Sequence, residues 1–327
     1  MGYPLPKDTA ELLVNGTGNN TGLALDKFRQ VGEGWKITDA SKKRMDIPQP
    51  VSALITNALK RQKEMLRSLA GREVRHFQGI TDYRLAIGFG AEHVLETNLH
   101  LHRIYGFPLI PGSAVKGVAR AYAFWEVARH FGLTAADPAE MKRREKADPT
   151  IPTPLKLLDE LLSEGEAESL PPEEMKQLRE RQENLIAKLK KDELCGALPK
   201  VRQLDFTEWQ KLAVNFNRVF GTTKKQGQVI FFDAYPTQAP RLEIDILNPH
   251  FGDYYGSKDK NKPPADYGRP IPSFFLTVGK GSSFLFAVAS RDSDLADKAN
   301  EWLKGGLTEL GIGSKTSAGY GFMKSVS

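Results

Sequence analysis

The spacing of apolar residues divides the chain into helix-rich and strand-rich stretches. Residues 51–70 carry an apolar stripe at helical spacing that ends at Gly71, and a second helix is expected to follow Pro111 and Gly112 through about residue 131. Residues 83–90 (YRLAIGFG) alternate and predict a strand. After residue 201 the pattern favours strands, with one last helix expected over about 293–310. These strands are expected at 228–236, 241–247, 272–278, 282–290 and near the end in GFMKSV.

The order strand, helix, strands, helix, strand predicts an α+β fold of the ferredoxin-like (RRM-like) type. Within residues 137–200, prolines bracket strongly charged helical patterns, which indicates a helical insertion projecting from the core. We therefore expect one domain over 1–327, with an N-terminal extension at 1–75 and an insertion at about 137–200. The aromatic signature of RNA-recognition modules is not recognisable on the predicted strands.

Composition narrows the class of function. The net charge is +6, and residues 137–200 hold more acidic than basic side chains, so the excess of positive charge lies in the main body. This distribution favours a polyanionic partner. Cys195 is the single cysteine, which excludes an intramolecular disulfide framework and a multi-thiolate zinc site. With no signal-peptide pattern and no apolar run long enough for a membrane span, we expect a cytoplasmic protein without membrane contact.

The stretch IPGSAVKGVARAYA at 110–123 is the first candidate site. If Ser113 caps the helix that follows, the amides of residues 114–116 are free to face an anion at the positive end of the helix dipole. Lys116 and Arg120 are four residues apart and share a face, while Val115 and its apolar neighbours face the sheet. This geometry suits a phosphodiester backbone. The alternative is an ordinary amphipathic helix with solvated cations.

The stretch GIGSKTSAGYG at 311–321 is the second candidate site. Its glycines at 311, 313, 319 and 321 permit positive φ angles and let amides point at a ligand. Ser314 separates Gly313 from Lys315, and the expected helix precedes the loop, so the pattern differs from a nucleotide-triphosphate loop. The alternative is a flexible turn between a helix and an edge strand.

Together these motifs resemble those of the RAMP superfamily of CRISPR systems. LIPGSAVKGVAR resembles the opening of the first RAMP helix, and GIGSKTSAGYGFM resembles the C-terminal glycine-rich loop. FGTTKKQGQVIFFDAYP at 220–236 resembles the RAMP pattern of a basic turn and a glycine-led strand ending in Asp. NTGLALDKF, DILNPHFGDYY and the long helical insert are similar to the subunit family numbered six in the type III-B (Cmr) effector complex.

The resemblance implies a non-catalytic subunit without a cofactor or metal. Such a subunit is expected to bind the guide RNA backbone toward its 3′ end and to meet target RNA only indirectly, through base pairing. Its expected neighbours are the repeated backbone subunit and the RAMP subunit that caps the filament. The residues that the resemblance assigns to guide RNA are Gly112, Ser113, Lys116, Arg120, Gly313, Ser314, Lys315, Thr316 and Gly319.

Two other functions stay open at the level of sequence. A metal-independent endoribonuclease that processes CRISPR RNA would need a histidine near the 2′-hydroxyl group, and His100, His102 and His250 are the candidates with suggestive neighbours. His100 and His102 would share one face of an extended segment, although no acidic or thiol residue nearby completes a metal site. A protein scaffold would instead touch its neighbours through the insert and the N-terminal region.

Overall fold

The computed structural model describes residues 20–26, 47, 49–90, 99–134, 152–164, 171–222, 225–247 and 273–326. In chain order the helices of these ranges are α1 (Thr21–Asp26), α2 (Ser52–Arg67), α3 (Gly112–His130), α4 (Pro154–Ser163), α5 (Pro172–Lys191), α6 (Pro199–Gln203), α7 (Phe206–Phe220) and α8 (Ser293–Glu309). The strands are β1 (Glu73–Thr81), β2 (Ile230–Phe231), β3 (Tyr235–Pro236), β4 (Leu242–Leu247), β5 (Ser273–Val278), β6 (Ser283–Ser290) and β7 (Met323–Val326). A 3-10 turn covers Thr316–Ala318.

The central sheet is antiparallel and has the strand order β2-β6-β1-β7, with β3 also paired to β6. Strand β6 is buried along its whole length because both faces of the sheet are covered there. Side chains alternate between the two faces, so Phe284 and Phe286 join the main core while Leu285 and Ala287 pack toward α2. Strands β4 and β5 form a separate antiparallel pair.

Helices α3 and α8 pack against each other on one face of the central sheet. Gly306 of α8 lies against the carbonyl oxygen of Val118, where an added Cβ would come within 2.7 Å. Further along, Lys298 Nζ lies 3.1 Å from Glu126 of α3. These pairings show that the two helices run in opposite directions. The beginning of α3 and the loop that follows α8 therefore lie at the same end of the helix pair.

The predicted helical insertion contains helices wherever the structure describes it. Thr153 caps α4 by accepting a hydrogen bond from the amide of Lys156, and the leucines of α4 pack against α5. Residues 137–151 and 165–170 lie outside the described residues. The proposed boundaries of the domain, extension and insertion stay a prediction.

Two elements differ from the sequence prediction near the start of the sheet. Residues 83–90 do not form a strand; Leu85 and Ala86 make isolated bridges to Val278 and Ser314, and Gly88 turns the chain with φ +77°. The strand is β1 instead. Its alternation is hard to recognise because each face mixes polar and apolar residues: Arg75 shares a face with Phe77, and His76 shares the other with Val74.

Helix α7 was also missed, since residues 206–220 were assigned to a strand-rich region. Aromatic and β-branched residues favour strands, but here Trp209, Ala213, Phe216 and Phe220 are buried at helical spacing. Asp205 begins the helix by accepting a hydrogen bond of 2.8 Å from the amide of Glu208. Burial of one helical face outweighed the residue preference.

The other predicted elements agree with the structure to within a few residues, except that β2 and β3 divide the single strand expected at 228–236. The α+β class is confirmed, and the narrower ferredoxin-like description stays a prediction. Within the described ranges, no helix is both long enough and apolar enough to cross a membrane.

Candidate nucleic-acid interface

The beginning of α3 is already occupied by a carboxylate of the same chain. The amide of Gly112 donates a hydrogen bond of 2.6 Å to Asp233 Oδ1. A negative charge at this position is stabilised by the positive end of the helix dipole. Gly112 also sits so close to the strand segment that an added Cβ would come within 2.5 Å of the Phe231 carbonyl oxygen. Asp233, the Asp that ends the glycine-led strand within the RAMP-like pattern at 220–236, thus serves as the anion for this helix.

The predicted cap and free amides at this position are wrong. The residue that precedes the helix is Pro111, and Ser113 lies inside the first turn with an exposed side chain. The amides of Ala114 and Val115 both donate to the Pro111 carbonyl oxygen, at 2.9 and 3.0 Å. Pro111 provides no side-chain cap, and Asp233 instead accepts a hydrogen bond from the first amide of the helix, that of Gly112. A phosphate could not be held here by the amides alone.

The two cations of α3 have different environments. Arg120 Nη2 lies 2.8 Å from Asp159 Oδ1 of α4, and its guanidinium carbon lies 5.2 Å from the ring centre of Phe216 in α7. Arg120 therefore ties α3 to two helices of its own chain. Lys116 is half-buried, and the described residues offer it no ion pair. Of the two, Lys116 is the cation available to a ligand.

The glycine-rich loop at 311–321 adopts the backbone that its sequence predicted. Gly311, Gly313, Gly319 and Gly321 have φ angles of 74°, 93°, 89° and 76°. At Gly321 an added Cβ would lie 1.9 Å from the carbonyl oxygen of Ile312, so glycine is required for close backbone approach as well. Lys315 is left-handed too, with φ 60°. The prediction of positive φ at these four glycines is confirmed.

Internal hydrogen bonds consume many of the loop's amides. The amide of Ser314 donates to Ala86, that of Ile312 to Gly321, and that of Gly321 to Arg84, at 2.7 to 2.9 Å. The amides of Thr316 and Ser317, at the exposed turn of the loop, have no protein acceptor among the described residues. The outer part of the loop is the part that retains free donors.

Lys315 directs its ammonium group inward, onto aromatic rings. Its Nζ lies 4.9 Å from the ring centre of Phe89 and 5.3 Å from that of Phe275. Cation–π contacts of this kind hold a cation in place with a modest energy of about 0.5–2 kcal/mol. Lys315 is thus positioned by the fold, and it must leave these rings or share its charge to meet a phosphate.

A network centred on Asp245 anchors the loop to β4. Arg84 donates to Glu243 Oε2 at 3.0 Å and to Asp245 Oδ2 at 2.6 Å, and the Tyr320 hydroxyl donates to the same Asp245 oxygen at 2.5 Å. Burial by itself would raise the pKa of Asp245, but the hydrogen bonds from Tyr320, the Ile246 amide and Arg84 lower it below its usual value. Burial and the bond to Asp245 raise the pKa of Tyr320. The carboxylate and the phenol therefore stay in the charge states that hold the loop.

Arg84, Glu243 and Asp245 lie outside the two candidate sites recognisable from the sequence. The available signal was the pair of acids two residues apart in RLEIDIL, which places both on one face of a strand.

The structure brings the two predicted sites close to each other. The Ser314 amide bonds to Ala86, the next residue Ile87 accepts from the amide of His100, and the His100 carbonyl accepts from the amide of Leu109. Three inter-strand spacings of this kind amount to about 15 Å. Gly112 follows three residues after Leu109. The sites thus lie at one end of the α3–α8 pair, separated by two extended segments.

Two of the histidines singled out from the sequence, His100 and His102, make structural contacts. His102 Nδ1 accepts hydrogen bonds from the amides of Ile104 and Tyr105, and its ring packs on Tyr105, Phe107 and Tyr235. Burial lowers the pKa of His102, although the charge of Asp233 acts in the opposite direction. The backbone of His100 is bonded to the segments on both sides. No group of three His, Cys, Asp or Glu residues suited to a metal ion occurs in the described ranges, and His250 lies outside them.

A family model and two relatives of known family match the sequence of this chain. Residues 79–324 match the RAMP superfamily. The chain is 35% identical over 303 residues to CRISPR system Cmr subunit Cmr6 of Pyrococcus furiosus, covering 90% of this chain and 80% of the relative. It is 30% identical over 104 residues to the Cmr6 subunit of Saccharolobus solfataricus, covering 31% of this chain and 34% of the relative.

Two solved structures are also similar. The crystal structure of Cmr6 from Pyrococcus furiosus is 33% identical, with a TM-score of 0.41, covering 79% of this chain and all of that one. A cryo-EM structure of type III-B Cmr-beta bound to cognate target RNA contains a chain that is 17% identical, with a TM-score of 0.49, covering 86% of this chain and 68% of that one. The family assignment rests on the sequence comparisons.

Proposed function

Because the chain belongs to the RAMP superfamily and, within it, to the Cmr6 family, we propose that it is a non-catalytic subunit of a type III-B RNA-guided complex. The observation that carries this proposal is the 35% identity to Pyrococcus furiosus Cmr6, which extends over 90% of the chain. The match to the RAMP superfamily over residues 79–324 includes both the α3 region and the glycine-rich loop. Its neighbours would be the repeated backbone subunit and the RAMP subunit that caps the filament.

We further propose that the loop and α3 hold the backbone of the guide RNA toward its 3′ end. Support comes from Lys116, which has no ion pair among the described residues, and from the free amides of Thr316 and Ser317. Amides and cations bind phosphates without reading bases, as required of a subunit that leaves recognition to base pairing. Arg120 would act indirectly, by fixing the position of α3 against Asp159 and Phe216.

The non-catalytic role is supported by the state of His102. A histidine that acts on a 2′-hydroxyl must exchange a proton with it. His102 Nδ1 is engaged by two backbone amides and its ring is packed among three aromatic side chains, so this nitrogen is not available as a base.

The test is assembly in cells. The tagged full-length chain is expressed with the other subunits of its complex and a CRISPR array, purified, and analysed by RNA sequencing and mass spectrometry. We expect short CRISPR-derived RNA and other RAMP subunits in the purified material. A chain that emerges without either would contradict the proposal. The chain could also emerge with the other subunits and retain RNA equally well after Lys116→Gln and after substitution in the glycine-rich loop at 311–321. That result would contradict RNA contact at this site.

A further inference from the structure

A second basic surface lies on the opposite side of the central sheet from α3 and α8. Helix α2 packs there on β6 through Leu59 and Leu66, and a groove with a volume of about 360 Å³ remains between the helix and β1. We call it the α2 groove. Its rim carries Lys63, Arg67, Arg72 and His76, and its floor is aliphatic, with Leu66 and Leu285 among the floor residues.

The local fold explains why cations stand on both sides of this groove. Lys63 and Arg67 are four residues apart and so share one face of α2. Gly71 reverses the chain with φ +67° and leads directly to Arg72. Val74 and His76 alternate along β1 and point to the α2 side of the sheet, while Arg75 between them bonds to Asp297 of α8 on the other side. The helix supplies one wall and the turn and strand supply the other.

None of the residues that line the α2 groove is acidic, and its cations have no ion pairs within the described part of the chain. The nearest acids in the sequence are directed elsewhere: Glu73 pairs with Arg75 at 3.3 Å, and Glu64 does not line the groove. Like charges placed together without counter-charges repel one another, which disfavours the arrangement unless an anion offsets it. Lys63, Arg67 and His76 are exposed, and Arg72 is half-exposed.

The helix dipole of α2 explains only some of the basic residues around the α2 groove. A cation in the last turn of a helix is stabilised by the negative end of the dipole, which explains Arg67. It does not explain Arg72 and His76, which belong to the turn and to β1. The arrangement as a whole suits a ligand with closely spaced negative charges.

We propose that the α2 groove binds the phosphodiester backbone of single-stranded RNA, at a place separate from the α3 and loop site. A linear polyanion running along the groove would be neutralised from both walls, and its sugars and bases would lie on the aliphatic floor. The floor side chains offer no hydrogen-bonding groups, so binding would be independent of sequence. This inference rests on the proposed function for the choice of RNA over an acidic protein segment.

The test is RNA binding by the full-length chain at several salt concentrations, measured by fluorescence anisotropy. The probe is a labelled uridine oligonucleotide of about 15 nucleotides, a length that spans a typical single-strand site. The groove variant combines Lys63→Gln, Arg67→Gln and Arg72→Gln. The matched control combines Lys176→Gln, Lys190→Gln and Lys191→Gln, which removes the same charge from exposed positions of α5.

We expect the groove variant to bind about tenfold more weakly and to lose about 2 from its log–log salt slope, since each phosphate contact on a single strand contributes about 0.7. The control should keep both its affinity and its slope. Thermal unfolding and circular dichroism of both variants should match those of the unmodified chain, because all six side chains lie at the surface.

Three results would overturn the inference. Equal losses in the groove variant and the control would show a general charge effect. Unchanged RNA binding with loss of a co-purifying subunit would assign the groove to an acidic protein segment. An unmodified chain that does not bind the probe, yet assembles with its subunits and CRISPR RNA, would remove the α2 groove from the RNA path while leaving the proposed function intact.

Discussion

The two basic regions of the molecule differ in what their cations already bind. In the α3 and loop region, Arg120 is paired with Asp159 and Lys315 lies on Phe89 and Phe275, so that Lys116 is the cation left without an ion pair among the described residues. In the α2 groove, four basic side chains have no ion pairs among the described residues. A cation with an internal partner must give up that partner to bind phosphate. A basic residue within a family motif can therefore serve the fold, while cations outside the motifs remain free for a ligand.

The largest loss of stability is expected from Gly321→Ala in the glycine-rich loop. An added Cβ would overlap the Ile312 carbonyl oxygen, and φ 76° is strained for alanine. We expect a loss of about 3 kcal/mol or more in the free energy of unfolding, measured by chemical denaturation. The matched control is Gly319→Ala, which has φ 89° but open space around the added atom. It should lose about 1 kcal/mol. Equal losses would show that the loop backbone is not closely packed.

The next effect concerns the network that anchors the loop. Arg84→Met leaves Glu243 and Asp245 without their shared cation, and we expect a loss of about 2 kcal/mol, since both carboxylates are partly buried, with 27% and 18% of their side chains exposed. The control is Arg241→Met, because Arg241 is 82% exposed and lies 3.7 Å from Glu243. Its loss should stay below about 0.5 kcal/mol. Chemical denaturation measures both, and a smaller loss for Arg84→Met than for the control would contradict the anchoring role.

The parts of this site that depend on neighbouring residues in the sequence were predictable, and the parts that depend on distant residues were not. The positive φ angles of the loop follow from its own glycines, and the boundaries of α3 follow from Pro111 and a local apolar pattern. The partners of Arg120, Lys315 and Gly112 come from α4, α7, β5 and Asp233, which are remote in sequence. Spacing along the chain carries no information about such pairings.

Dependence on distant residues also explains why the α2 groove, strand β1 and helix α7 were not predicted from the sequence. Lys63 and Arg67 are recognisable as a basic helix face, but their proximity to Arg72 and His76 depends on how α2 packs on β6. Strand β1 is not recognisable from the sequence because polar and apolar residues occur on both of its faces, which removes the alternation. Helix α7 was missed because its aromatic residues favour strands outside a tertiary context.

A smaller effect separates the two cations of α3. Arg120→Gln removes a partly exposed ion pair and a cation–π contact, and we expect a loss of about 1 kcal/mol in stability. Lys116→Gln should leave stability unchanged within about 0.5 kcal/mol and weaken RNA binding more than Arg120→Gln does. Thermal unfolding and anisotropy provide the two readings. If Lys116→Gln lost more stability and Arg120→Gln lost more RNA affinity, Arg120 would be the phosphate contact.

The smallest effect is the pH dependence of the loop anchor. Because the folded-state pKa of Asp245 is lowered, its contribution to stability is fully present above the ordinary carboxyl pKa of about 3.9 and is lost as the pH falls through the lower folded value. The difference in unfolding free energy between the unmodified chain and Asp245→Asn should therefore be constant from neutral pH down to about pH 5 and shrink below about pH 4. Denaturation series at several pH values measure this difference. A difference that grows on acidification would contradict the assignment.

Cross-linking in the assembled complex tests the central claim most directly. The full-length chain is assembled with its partner subunits and a guide RNA that contains 4-thiouridine, irradiated, digested and analysed by mass spectrometry. We predict cross-linked peptides from the loop at 311–321 and from the α2 groove at residues 63–76. Cross-links confined to the helices between residues 154 and 203, or found only on neighbouring subunits, would contradict the account.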